Sequence, residues 1–164
     1  MSIKISLKKN ITTKSINNYV LFCNQEYQIF GLSKLPLKDQ SNFLKKVINS
    51  LKSNKKDFSI FNFSATQKII LCKMNKQQLS SDNEKMGAKF YNYLKSNLLN
   101  NTTFFEINIK EANFKNNLFF NEFIHGLQLK SYKFDKYKSK KEKEVFEINV
   151  STNSNYLDLK KYKK

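Results

Sequence analysis

The residues of this chain that could do chemistry are few, and their spacing keeps them apart. A zinc or manganese site needs three or more convergent His, Cys, Asp or Glu ligands, and the single histidine, His125, gathers no such set. It stands beside Gly126 on a predicted helix, where a structural role is expected, and no Ser-His-acid arrangement can be drawn through it. Gly31, Gly87 and Gly126 are isolated, so neither a dinucleotide fingerprint nor a P-loop can cradle a phosphate. Cys23 and Cys72 each lie within an apolar, strand-like run with no CxxC spacing, and read as buried free thiols. The carboxylates are mostly interspersed with lysine, as on a solvated surface.

One stretch remains. Between Lys130 and Lys143, the aromatics Tyr132, Phe134 and Tyr137 interleave with Lys130, Lys133, Lys136, Lys138, Lys140, Lys141 and Lys143. Such a mixture can stack bases and neutralise phosphates, which makes these lysines the candidate anion-binding residues. The same pattern suits aromatics packed inward with lysine stems extended toward solvent, and that is the expected arrangement. Thirty basic residues against thirteen acidic ones give a formal charge of +17, an attraction to anions in general. All thirty are lysine. A surface selected to read nucleic acid would be expected to use arginine, the residue suited to bidentate phosphate and guanine contacts, so the charge is discounted.

The elements that must position these residues are read from periodicity, because three glycines and one proline supply few breaks. At 164 residues there is room for one domain with an adequate core and none for a second of ordinary size. Ile3, Ile5 and Leu7 alternate as in a first strand, Tyr19 to Cys23 forms a second, and a short extended piece is expected around Gln28 to Leu32. Leu44, Val47, Ile48 and Leu51 then recur at helical spacing. Phe58, Ile60 and Phe63 suggest a strand, and Ile69-Ile-Leu-Cys72 is apolar throughout, as in a central strand covered on both faces. Ser81-Asp-Asn-Glu84 matches a capping box for a helix carrying Met86, Phe90, Tyr93, Leu94 and Leu98. Thr103 to Ile109 reads as a strand, Phe120, Phe123, Ile124 and Leu127 as a helix, and Glu144 to Val150 as a last strand. This alternation predicts an α/β fold, a three-layer sandwich around a mixed β-sheet. Residues 1–150 form the domain and 151–164 a polar, Lys-rich tail or the start of a linker. No apolar run is long enough to cross a bilayer and no secretory signal is present, so a cytoplasmic protein with no membrane partner is expected.

The stretch from Phe123 to Lys141 resembles the end of the N-terminal domain of leucyl (cytosol) aminopeptidases, a helix ending E-G-L-x-L-G-x-Y-x-F followed by D-x-Y-K-S-K. Gly126, Leu127, Leu129, Tyr132, Phe134, Asp135, Tyr137, Lys138, Ser139 and Lys140 match this signature; His125 replaces the usual Glu and Lys130 the usual Gly. Upstream, Lys68 to Met74 followed by Met86-Gly-Ala-Lys89 is similar to the family's strand, loop and helix with a K-x-G-A segment, and Cys72-Lys73-Met74 stands where many members have G-L-G.

The resemblance implies a macro-domain-like sandwich and a non-catalytic accessory or assembly domain. The family releases N-terminal amino acids from peptides in a separate C-terminal domain holding two divalent metals, zinc or manganese. No segment here matches that domain's N-T-D-A-E-G-R-L motif, so no catalytic or metal residue and no cofactor is assigned to this chain. The implied partners are an aminopeptidase catalytic domain or further copies, the family being hexameric. The alternatives are a stand-alone basic module binding nucleic acid without sequence preference, and a macro-like pocket for ADP-ribose, against which the missing glycine loop argues.

Overall fold

The apolar run at residues 69–72 organises the molecule. In the computed structural model, which describes residues 2–37, 40–51, 54–75, 79–112, 118–132 and 145–152, it is the centre of strand β4 (Lys68–Lys73) and is buried on both faces. Strands β1 (Ser2–Lys8), β2 (Asn18–Cys23), β3 (Phe58–Asn62), β5 (Asn101–Phe105) and β6 (Val145–Ser151) join it in one six-stranded sheet of order β1-β6-β5-β2-β4-β3. All neighbours are parallel except β3, which runs antiparallel to β4. This is the mixed-sheet α/β architecture expected.

Helices α1 (Ser41–Ser50), α2 (Ser80–Ser96), α3 (Glu106–Ala112) and α4 (Phe119–Ser131) supply the crossovers and cover. Alternate residues of β2 feed two separate cores, because successive side chains of a strand point to opposite faces. Val20 and Phe22 join Phe90 of α2 and Phe123 of α4. Tyr19 and Leu21 join Leu44 and Val47 of α1 on the other side. The larger core is aromatic: the Phe22 ring meets Phe119, Phe120 and Phe123 edge-on, with centroids 5.1, 6.4 and 5.4 Å away, geometry that the ring quadrupole favours. Cys23 and Cys72 fall on opposite faces of the sheet and are free thiols, as expected.

Helices α2 and α4 touch backbone to backbone. A Cβ on Gly87 would lie 1.9 Å from the Phe123 carbonyl oxygen, and one on Gly126 would lie 1.9 Å from that of Glu84. Polar pairs flank the crossing: the Asn83 side-chain amide donates to Glu122 at 2.6 Å, and His125 Nδ1 lies 2.8 Å from a Glu84 carboxylate oxygen.

Three expectations need correction. The strand read over Thr103 to Ile109 ends at Phe105, and Glu106 begins α3. The capping box is displaced: α2 starts at Ser80, the Asp82 carboxylate accepts from the Leu79 N–H, and Glu84 faces His125 instead. The extended piece around Gln28 to Leu32 reduces to one antiparallel bridge, Cys23 with Ile29, before Gly31 turns left-handed (φ 65°) into a 3-10 turn at Leu32–Lys34. Among the described residues no helix is long and apolar enough to cross a membrane.

Candidate functional site

The residues singled out from the sequence divide sharply. Gly126 and Leu127 are buried at the α2–α4 crossing, where they build the core. Leu129 and Tyr132, at the end of the same helix, are 58% and 72% exposed. The expectation that the aromatics pack inward therefore fails at Tyr132: the helix ends at Ser131, and its extended cap residue carries the ring away from the core. Lys130 is exposed beside them. Phe134, Asp135, Tyr137, Lys138, Ser139 and Lys140 lie outside the described residues, as do Lys133, Lys136, Lys141 and Lys143.

Among the described residues no group of three or more His, Cys, Asp or Glu side chains could hold a metal ion. His125 is bound up with Glu84 on the outside of the helix pair, both side chains being substantially exposed. Burial favours the protonated form of both thiols. Burial pushes the Cys23 thiol up to about 12, the nearby Lys73 charge opposing the shift. Burial, followed by the charge on Cys23, raises Cys72 as well. The thiolate is the reactive form, and both environments suppress it.

The features that sequence reasoning missed gather at the carboxyl ends of β2, β5 and β6, where open α/β sheets place their clefts. Strand β5 pairs with β2 only through Tyr19 with Thr103 and Val20 with Phe104. Beyond that point Asn108 of α3 takes over as a surrogate strand. Its side-chain oxygen accepts from the Phe22 N–H at 2.7 Å, and its amide nitrogen donates to the carbonyls of Phe22 and Phe30 at 3.1 and 2.7 Å. Next to it the Glu106 carboxylate, on a residue only 6% exposed, accepts from the Thr152 hydroxyl. A cleft of about 280 Å³ opens there between Lys34, Pro36, Phe105, Glu106, Ile107 and Lys110. Lys34 is already paired with Glu111, and a phosphate entering the cleft would meet the Glu106 carboxylate. The only advance signal was the alternation of Ile107, Asn108 and Ile109, which is also what a strand would show.

A mixed parallel sheet with this strand order, two helical layers and an interrupted central ladder defines a macrodomain-like α/β fold. The structure is similar to a tomato leucine aminopeptidase mutant, with a TM-score of 0.59 and 13% identity, over 93% of this chain and 33% of that one. It is equally similar to the macrodomain of Thermus aquaticus DarG, with a TM-score of 0.59 and 7% identity over 92% of this chain and 99% of that one. The macro domain of ganglioside induced differentiation associated protein 2 gives 0.59 and 11% identity over 89% of this chain and 76% of that one. At these identities the likeness is one of fold, and the chain spans about a third of the aminopeptidase's length. No family model matches the sequence, and no curated protein matches it.

Proposed function

We propose that this chain is a non-catalytic accessory domain of the leucyl aminopeptidase type, which acts by assembling with a catalytic partner domain or with further copies of itself. The observation that carries the reading is the split in the signature at the end of α4. Gly126 and Leu127 are consumed by packing, whereas Leu129 and Tyr132 present apolar surface outward from the same helix end, and apolar side chains exposed together mark interaction sites. Leu98, 80% exposed after α2, and Val145, at the start of β6, belong to the same pole of the sheet, where parallel strands begin and their helices end. The likeness over nearly the whole chain to one third of an aminopeptidase supports the same reading. Peptide hydrolysis and the two metals then belong to the partner.

Size-exclusion chromatography with light scattering, on the whole chain mixed with a separately produced leucyl aminopeptidase catalytic domain, tests this. Co-elution is expected, and Leu129→Ser with Tyr132→Ser should abolish it while leaving the melting temperature within about 2 °C, since surface changes seldom exceed about 0.5 kcal/mol. Hydrolysis of leucine amide by this chain alone with added manganese or zinc would overturn the reading. So would a complex that ignores the double substitution.

A further inference from the structure

We infer that the chain carries a binding site for a small phosphorylated sugar on the α1 side of its sheet, under the connection from β1 to β2. The inference starts from an anomaly in the central strands. Strands flanked on both sides in a covered parallel sheet are expected to be apolar on both faces, and β2 and β4 obey with Tyr19, Leu21, Ile69 and Leu71 beneath α1. The adjoining half of the same face does not. Register places Ser6, Asn149 and Thr103 in one row across β1, β6 and β5, continuing into Tyr19 of β2. Thr103 and Asn149 are each only 4% exposed.

Polar groups are kept off a covered sheet face because burying them without partners is unfavourable, so a polar row marks a part of the face that stays open to a hydrogen-bonding occupant. The protein supplies only part. The Asn149 amide nitrogen donates to the Asn101 side-chain oxygen at 2.7 Å, and the Asn18 amide donates to the Asn101 carbonyl at 2.6 Å. Among the described residues nothing bonds the Thr103 hydroxyl or the Asn149 side-chain oxygen, and neither is a fully buried orphan atom, so both stay open to solvent. Both residues line a cleft of about 460 Å³, a size common among small-molecule sites.

The cleft exists because of topology. β1 and β2 are parallel and separated by β6 and β5, so the connection after Lys8 must return across the sheet. It is held above the polar row by a turn at Asn10 in the left-handed region (φ 55°), which Asn tolerates, and by Thr13, whose carbonyl accepts from Tyr19 Oη at 2.6 Å and from the Gln67 amide at 2.9 Å. This strap brings Lys8, Lys9 and Asn10 to the cleft, opposite Asn101, Thr103 and Asn149. Among the described residues no acidic side chain lines it. The lining thus combines two lysines, whose ammonium groups suit an anion, with a hydroxyl and carboxamides suited to sugar hydroxyls. A phosphate ester on a small polyol satisfies both.

The test is a two-dimensional amide NMR titration of the full chain with ribose 5-phosphate, in parallel with ribose and with inorganic phosphate, at about 150 mM salt so that diffuse lysine attraction is screened. Saturable shifts at residues 8–16, 101–103 and 149 are expected with ribose 5-phosphate, and at least tenfold weaker binding with either fragment. Thr103→Val keeps the β-branched shape and removes only the hydroxyl, and should weaken binding about tenfold, the scale of one lost hydrogen bond. Lys8→Gln with Lys9→Gln, far from the core, should remove the preference for the phosphorylated sugar over ribose. Equal affinity for inorganic phosphate, indifference to Thr103→Val, or no saturation by about 10 mM would each overturn the inference.

Discussion

Gly87 of α2 and Gly126 of α4 are the paired points at which the two helices meet without side chains between them, each closing on a backbone carbonyl of the other helix. In an isolated helix, alanine at either position would be worth about 1 kcal/mol over glycine. Here the added methyl must enter space held by the Phe123 or Glu84 carbonyl, so the helices must separate over the aromatic core. Gly126→Ala and Gly87→Ala should each lower stability by about 2–3 kcal/mol, the upper part of the range for overpacking, read from urea unfolding. Once one has separated the helices the second should cost less, so the double variant falls short of the sum. A gain in stability from either would show that the crossing is looser than drawn.

Asn108 invites a test in which two losses are read separately. Asn108→Ala leaves the Phe22 N–H and the carbonyls of Phe22 and Phe30 without their partner in a buried setting, and should lower stability by about 3 kcal/mol, unsatisfied groups costing about 1–3 kcal/mol each before relaxation. Asn108→Asp keeps an acceptor for the Phe22 N–H but loses both donated bonds. Hydrogen exchange should therefore find the Phe22 amide protected in the Asp variant relative to the Ala variant, even if the two unfold at similar urea concentrations. Equal exchange in both would mean that the side chain does not continue the ladder.

That residue also marks where sequence reading stopped. The helical spacing of Met86, Phe90 and Leu94, and of Phe120, Phe123 and Leu127, located α2 and α4, because one buried helix face is a local pattern. The run Phe105-Glu-Ile-Asn-Ile109 alternates as a strand does, and nothing local says that an Asn side chain will replace the backbone ladder. The box at Ser81 to Glu84 failed for a similar reason: Asp82 sits one turn from an equally available N–H, that of Leu79, and Glu84 finds its partner on another helix. Glu106, read as part of the strand over Thr103 to Ile109, is instead a buried helix residue whose carboxylate accepts from the Thr152 hydroxyl. The polar cleft was the least legible feature, since residues 8–12, Asn101, Thr103 and Asn149 become neighbours only through the strand order.

The lysine excess sets a boundary on the accessory reading. Attraction of lysines to phosphates is largely counterion release, so affinity for duplex DNA or RNA should be measurable at about 50 mM salt and fall by about 10³-fold or more by 200 mM if six or more phosphates are contacted. No preference among sequences is expected from a chain without arginine. Filter binding or fluorescence anisotropy across that salt range checks it. Tight binding retained at 200 mM, or preference for one sequence over another, would favour a dedicated nucleic-acid module instead.

The buried thiols predict an alkaline weakness. Burial holds Cys23 up to about 12 and raises Cys72, so the folded chain keeps protons that the unfolded chain releases from near pH 9. Where the folded state binds more protons, stability falls as pH rises; the contribution is whole below the unfolded value and is lost progressively from about 9 toward 12. Tyr93, pushed up to about 12 by burial and then by Cys72, and Tyr19, raised by burial against the opposing Gln67 hydrogen bond, extend the decline above pH 10. Urea midpoints should be level from pH 7 to 8 and drop between 9 and 10.5, and Cys23→Val with Cys72→Val should flatten the first part of that drop while leaving the tyrosine part. In the same preparation at pH 8 a thiol reagent should label neither cysteine faster than the chain unfolds. Prompt labelling of Cys72 in the native state would place it at the surface and remove the basis for the alkaline slope.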